Sequence, residues 1–375
     1  MTDNNTPYPL YVKLANIAIA IFILFYILYI GQAIILPLLY AIIFAILLNP
    51  FVTWLCAKGM NRVVSIMLAV VLALIVVSGL IYLLSTQLAT FSENLPQFKE
   101  KFAVLIKQTY GWISETFNIK SRKIYDWVEQ AKSQGMDNSA AVIGSTLSTV
   151  GSLLAVVFLV PVYIFMILFY KPLLLDFIGQ LFRRDKHLAV VEVLNETKAL
   201  IQSYLIGLIL EVVIVAVMNS TALLIIGVEY AILLGIIGAL LNIIPYIGGL
   251  VAISLPALVA LATQSPEAAG WVMVAYIIIQ LIDNNFIMPT IVASKVKINA
   301  LMSIVVVLIG GALWGIPGMF LSIPLTAIVK VIFDRIEPLQ PWGFLLGDTM
   351  PPIGKTIFYF RKERKKAKPA QVDEA

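Results

Sequence analysis

Cysteine and histidine are nearly missing from this 375-residue chain, which holds one of each, Cys56 and His187. A single cysteine excludes a disulfide framework within the chain. Together the two supply too few ligands for a zinc site of the usual Cys/His type, so no metal is expected. No GxxxxGK[ST] stretch occurs, which argues against ATP-driven pumping by this chain. No GxSxG occurs either, and His187 sits in a charged stretch, so neither catalysis nor a resident cofactor is expected. Charge is scarce as well: 13% of residues are charged, against about 25% in soluble domains. The opening residues, MTDNNTPYPLYVK, lack the basic region and small-residue cleavage site of a signal peptide, so the first apolar run is expected to be retained as a helix.

What the chain has in abundance is apolar length. Hydrophobic residues make up 61% of it and the mean hydropathy is +0.96. A helix needs about 20 apolar residues to cross a bilayer core. Residues 14–30, 33–55, 63–87, 141–170 and 200–226 read as spans, with a turn at Gly31-Gln32. Three further apolar blocks follow at 230–262, 268–290 and 299–332. Between Ser92 and Asn138 the composition turns charged, and Phe98, Phe102, Leu105, Ile106, Ile113 and Phe117 recur at helical spacing. This insert reads as an amphipathic helix followed by a shorter one around Tyr125 to Ala131, packed on the membrane domain. A basic loop is expected from Lys171 to Lys198. The tail RKERKKAKPAQVDEA reads as a positive anchor for lipid headgroups on the inner side, not as a nucleic-acid site. It accounts for much of the formal net charge of +5.

Basic residues near the spans set an orientation. With both termini inside, Lys58, Arg62 and the basic loop fall inside and the insert outside. If each of the last three blocks crosses once, however, Lys295 and Lys297 end up outside. A straight helix over 230–262 would also run roughly 50 Å, far longer than the ~30 Å core. Both anomalies vanish if 230–262 and 299–332 are re-entrant hairpins flanking a full span at 268–290. The expected fold is then an all-α polytopic membrane protein with about six full spans, two re-entrant hairpins and an amphipathic insert. Eight single spans, two of them kinked, is the alternative.

The two long blocks carry the interruptions that hairpin tips need. The first reads NIIPYIGG, where Pro245 removes a backbone donor and Gly248 and Gly249 permit unusual φ. The second reads GGALWGIPGMF, with Gly315 and Pro317 at its middle. Paired interruptions are the best sequence pointer to a transport site, because irregular backbone at membrane depth must line a cavity or be buried. Between them lies QLIDNNFIMP, with Gln280, Asp283, Asn284 and Asn285. Gln280, Asp283 and Asn284 share one helical face, and a carboxylate inside a span usually marks an ion or substrate path. The plainer reading is that Asp283 pairs with Lys295 or Lys297 at a helix end. Pro289 is expected to bend or end that helix. Glu211, with Asn219 two turns later on the same face, is the second acid inside a span; it suits a proton carrier or a hydrogen-bonded packing role. Asn242 and Tyr246 flank the first break, where helix ends offer free backbone groups. Amides, a phenol and an acid suit a small hydroxylated solute or a cation. The absence of Arg and Lys at both tips disfavours a multiply charged anion.

These segments, LNIIPYIGG at 241–249 and QLIDNNFIMPTIVASKVKINALMSIVVVLIGGALWGIPGMFLSIPLTAIVKVI at 280–332, resemble the AI-2E family of membrane transporters, also called the PerM-like permease family. The layout of three spans, an insert and a C-terminal core resembles it too. The resemblance implies a bacterial inner-membrane protein with two helical hairpins, a homopentamer, and an elevator-like movement of solute. It also implies export of autoinducer-2 or, for other members, sodium/proton antiport.

The organisation expected is a scaffold over 1–90, the insert over 91–140, a fourth span and basic loop over 141–199, a transport core over 200–335 and a tail over 336–375. The function expected is secondary transport of a small polar solute through Asn242, Pro245, Tyr246, Gly248, Gly249, Gln280, Asp283, Asn284, Asn285, Gly315 and Pro317. Glu211 and Asp283 would couple it to ions. Cation/proton antiport is the second reading, and a non-transporting membrane scaffold that uses the insert as its interaction surface is the third.

Overall fold

The computed structural model describes residues 9–117, 139–244, 248–293 and 296–348. The expected helix around Tyr125 to Ala131, Pro245, Tyr246, Lys295 and the basic tail lie outside the described residues. Those that are described form helices almost throughout; the one β-bridge, Ile298 to Gly347, is isolated. In chain order the helices are α1 (Leu10–Ile30), α2 (Gln32–Ala57), α3 (Arg62–Phe117), α4 (Ser139–Leu181), α5 (His187–Ile226), α6 (Ala231–Asn242), α7 (Gly248–Thr263), α8 (Pro266–Ile282), α9 (Ala300–Arg335) and α10 (Gln340–Leu346). A π-helical segment, Asp283–Ala293, continues α8 directly.

Among the described residues, seven helices are long and apolar enough to cross a membrane. Six of them cover the expected full spans. The seventh, α9, is not a straight rod. Trp314 (φ −136°, ψ 15°) and Gly315 (φ 63°, ψ −146°) leave helical geometry at its middle. A Cβ built on Gly310 would lie 2.5 Å from the Gly318 carbonyl oxygen and against the Ser322 hydroxyl. In a continuous helix Gly310 and Gly318 would be about 12 Å apart, so the halves 300–313 and 316–335 lie against each other. The block at 230–262 is likewise two short helices, α6 and α7, of 12 and 16 residues. Each alone is shorter than the ~20 residues a crossing needs.

The sequence explains where these elements stop. Gly227 ends α5 at φ 82°, and the Val228 amide donates back to the Leu223 carbonyl at 2.9 Å, a closure that only a left-handed residue permits cheaply. Ser265 caps α8 by accepting from the Ala268 amide at 3.2 Å, with Pro266 in its first turn. Asn299 caps α9 by accepting from Met302 at 2.9 Å, and its amide also donates to the Leu345 and Gly347 carbonyls. That ties the start of α9 to the end of α10.

Three expectations change. The basic loop over 171–198 is mostly helix: α4 runs to Leu181, α5 begins at His187, and one short turn at Arg184–Lys186 joins them. Long helices can carry charge past a bilayer face, because a solvated helix end needs no loop. Lys171 accordingly donates to Asn49 Oδ1 at 3.0 Å, and Arg335 bridges Glu192 and Glu196 on α5. Second, the insert does not start as a separate helix: α3 passes through residue 90 without a break and extends to Phe117. Third, Pro289 does not end the helix, which continues to Ala293. The wider π turns from Asp283 to Ala293 absorb the proline, which has no amide to donate.

Packing divides into three apolar clusters. Ala41, Ala45, Val52, Ile66, Ala69, Ile164 and Leu168 join α2, α3 and α4. Leu223, Val228, Leu234, Ala252, Ala260, Val272 and their neighbours join α5, α6, α7 and α8. Between these, Ile43 of α2 meets Ile201, Tyr204 and Leu208 of α5, Val292 of the π segment and Leu321 of α9, and both Ile243 and Trp314 pack against that group. The two interruptions therefore converge on one central cluster.

Candidate functional site

Dispersion packing cannot satisfy a polar atom in a dry interior, so buried polar groups mark the places where a span does more than pack. Among the described residues four buried side-chain atoms have no hydrogen-bond partner: Glu211 Oε2, Asn219 Oδ1, Tyr276 OH and Asp283 Oδ1. All four lie on α5, α8 or the junction of α8 with the π segment. The residues are 5%, 2%, 5% and 2% exposed, so solvent does not satisfy these atoms.

The centre of the group is the Asn242–Asp283 contact. Asn242, the last residue of α6, donates from Nδ2 to Asp283 Oδ2 at 2.7 Å. Gln280 Nε2 lies 3.5 Å from Asn242 Oδ1 and donates to Asn284 Oδ1 at 3.2 Å. The expected polar face at i, i+3, i+4 is thus one hydrogen-bonded network, closed by an amide from a segment some 40 residues earlier. Gly249, near the start of α7, brings backbone against that network: a Cβ there would stand 2.8 Å from Gln280 Oε1. Gly248 has a different task. Its absent side chain lets α7 turn against α6, where a Cβ would strike the Leu241 carbonyl. The opposed dipole ends of α6 and α7 meet beside the network.

Glu211 reaches the same region from α5. Its carboxyl interacts electrostatically with Asp283 and with Tyr204. Gly207, one turn earlier, permits the approach, because a Cβ there would lie 2.6 Å from the Ile291 carbonyl oxygen of the π segment. Asp283 has no ion pair among the described residues, and Lys297 is exposed. The plain helix-end pairing with Lys297 is therefore not what holds Asp283; the amide of Asn242 is.

Other candidates fall elsewhere. Asn285 is exposed and donates to the Leu281 carbonyl of its own helix at 2.8 Å. Gly315 provides the positive φ of the α9 break, with open space where a Cβ would stand. The Pro317 carbonyl accepts from Tyr40 of α2 at 3.1 Å. Trp314 donates from its indole to the Leu28 carbonyl of α1 at 3.0 Å, one of the carbonyls a helix end leaves without an internal partner. Pro245 and Tyr246 lie outside the described residues. Sequence reasoning missed Tyr276 and Gly238 as neighbours of the site. Tyr276 lies four residues before Gln280 and seven before Asp283, a spacing that places all three on one face. No group of three or more His, Cys, Asp or Glu that could hold a metal occurs among the described residues.

An acid, three amides and two broken helices inside apolar spans can bind and release a small polar species; they supply no nucleophile with a base. Known sequences agree with that chemistry. The family described as "AI-2E family transporter" matches residues 17–337. YrrI of Bacillus subtilis (strain 168), provisionally designated a transport protein, is 27% identical over 309 residues, covering 80% of this chain and 86% of its own length. PerM of Escherichia coli (strain K12), provisionally a permease, is 28% identical over 307 residues, covering 79% and 85%. The "AI-2 transport protein TqsA" of the same organism is 23% identical over 319 residues, covering 84% and 90%. With its polar network set between interrupted helices and a family match over nearly its whole apolar length, the chain belongs to the AI-2E transporter family and is a multi-pass membrane transporter.

Proposed function

We propose that this protein is a secondary transporter that exports a small hydroxylated solute of autoinducer-2-like chemistry across a bacterial inner membrane. The observation that carries the reading is the Asn242–Asp283 hydrogen bond at the end of an interrupted helix, with the second oxygen of Asp283 buried and unpartnered. The name of the relative TqsA supports the substrate class. Asn242, Gln280, Asp283 and Asn284 contact the solute, and Gly248, Gly249, Gly315 and Pro317 shape the breaks beside it. The two interrupted segments act as re-entrant hairpins, and together with α5 and α8 they shift against the α1–α4 scaffold in an elevator-type movement. Both termini are cytoplasmic. The 21 residues of α1 bury none of their side chains in a single chain, which suits a lipid or a neighbouring-protomer environment and a pentameric assembly.

The test is flux in proteoliposomes, following labelled autoinducer-2 and an internal pH dye in parallel, with and without sodium. Solute flux that Asp283→Asn abolishes, without a sodium-driven pH change, supports export. Topology is tested separately with Lys297→Cys in a Cys56→Ser background: an impermeant thiol reagent reacting only from outside sinks the hairpin arrangement.

A second reading, sodium/proton antiport, draws on the neighbouring Glu211 and Asp283 carboxyls. It predicts a sodium-driven pH change without solute flux. Silence in both measurements favours a non-transporting scaffold.

A further inference from the structure

Three cations from three different helices gather at the end of the spans that the charge pattern assigns to the inner side. Arg62 opens α3, Lys171 lies within α4 and Lys198 within α5. Lys171 interacts electrostatically with both of the others. None of the three has an ion pair among the described residues. The acids nearest to Lys198 along α5, Glu192 and Glu196, are held by Arg335 instead. Like charges gathered without an acid repel one another, and an anion between them relieves that repulsion.

Two of these cations are also held in place. Pro172 lies inside α4 and has no amide to donate to the Leu168 carbonyl one turn earlier. Arg62 supplies the missing bond: its Nη2 donates to that carbonyl at 2.6 Å. Lys171 donates from Nζ to Oδ1 of the buried Asn49 of α2 at 3.0 Å. Each side chain keeps further donors. Nε and Nη1 of Arg62 have no hydrogen-bond partner among the described residues, and Lys171 bonds there to Asn49 alone. Arg62 and Lys171 are partly buried and Lys198 is exposed, so the group is open to a ligand on one side. Basic residues at a membrane face ordinarily extend freely towards the headgroups. These two are tied to protein acceptors and lose less freedom when an anion arrives.

We infer that Arg62, Lys171 and Lys198 form a binding site for a phosphate group, carried by an anionic lipid headgroup or by soluble phosphate. Forked guanidinium and ammonium donors suit phosphate oxygens, and basic pockets between spans take anionic headgroups. An anion held there joins α5 to α3 and α4. The site lies about 20 Å along α5 from Glu211, apart from the Asn242–Asp283 network, and stands independently of the solute reading.

The test is equilibrium binding of tritiated dioctanoyl phosphatidylglycerol, and separately of radiolabelled inorganic phosphate, to the purified full-length protein in an uncharged detergent. Lys171→Gln should weaken binding about tenfold, the worth of a charge-assisted hydrogen bond, and Lys198→Gln about fivefold. Lys186→Gln removes an exposed cation of the same basic stretch, about 18 Å along α5 from Lys198, and should leave binding within twofold of wild type. Unlabelled dioctanoyl phosphatidylcholine should compete at least tenfold less well than phosphatidylglycerol. Lipid binding that equimolar inorganic phosphate does not displace assigns the site to a headgroup; phosphate binding with the same variant pattern assigns it to the soluble anion. Circular dichroism and elution profile show that each variant is folded, and Lys198→Gln, which removes no hydrogen bond from the fold, carries the test if Lys171→Gln does not fold. Equal losses from all three variants reveal ordinary surface attraction and overturn the site. Binding unchanged in the folded Lys171→Gln and Lys198→Gln proteins, or a wild type that binds neither probe, overturns it as well.

Discussion

The two interruptions are alike in sequence and opposite in what surrounds them. At the first, between α6 and α7, the neighbours are polar: Asn242, Gln280 and Asp283 are hydrogen-bonded to one another, and Gly249 lies against Gln280. At the second, inside α9, the partners come from α1 and α2. Trp314 donates to Leu28 of α1, Tyr40 of α2 donates to the Pro317 carbonyl, and the Tyr40 and Phe320 rings stack at 5.8 Å. The first break is held by side chains of α6, α8 and the π segment. The second is held by groups of α1 and α2. Similar glycine and proline punctuation thus faces a polar network at one place and the scaffold helices at the other.

The sharpest way to break this contrast is at Asp283. Asp283→Asn keeps the size of the side chain and removes the charge; flux in proteoliposomes should fall about 10- to 100-fold, as expected when a buried charge-assisted hydrogen bond worth about 1.5–3 kcal/mol is lost. Comparable loss from Tyr40→Phe would erase the distinction between the two breaks. Next comes Glu211→Gln, which should abolish the dependence of flux on a pH gradient while leaving expression intact; unchanged dependence removes Glu211 from coupling, with Asp283 and Tyr204 the groups facing it. Gly315→Ala places a Cβ at φ 63°, ψ −146°, close to a glycine-only backbone region that costs another residue about 1–3 kcal/mol. It should lower the thermal midpoint of the protein even though nothing crowds the position. The smallest effect belongs to Trp314→Phe, which removes the indole donor to Leu28 at a cost of about 1 kcal/mol. A thermal midpoint lowered by a few degrees, with flux within a few-fold of wild type, fits an anchor; loss of flux equal to that of Asp283→Asn gives Trp314 a direct part in transport.

How much of the site the sequence made legible depends on the range of the interaction. Gln280, Asp283 and Asn284 were recognisable as one face because helical periodicity is local, and the Gln280–Asn284 hydrogen bond follows that spacing. Asn242 could be named as a candidate from its place beside a proline, but its partner could not, since 41 positions separate it from Asp283. Asn285 carries the same amide as Asn284 but donates to the Leu281 carbonyl of its own helix, while Asn284 accepts from Gln280. The π turns from Asp283 escaped notice, since Pro289 read as a bend or an end of the helix. The loop expected over 171–198 failed for a related reason: charge density was read as absence of helix, although helices project beyond the apolar layer.

Composition alone determined that this protein lives in a bilayer, because no chain so poor in charge and so rich in Leu, Ile, Val and Ala can be satisfied by water. Glycine placement marked helix stops such as Gly227 and Gly315, since their positive φ acts through their own backbone, whereas prolines such as Pro37, Pro50 and Pro256 lie inside unbroken helices. Only the tertiary structure decided what each break faces. Gly207, Gly238 and Gly249 look alike in sequence; they differ in the carbonyl, phenol or amide that another helix brings against them, and that depends on close packing between segments that the chain order does not reveal.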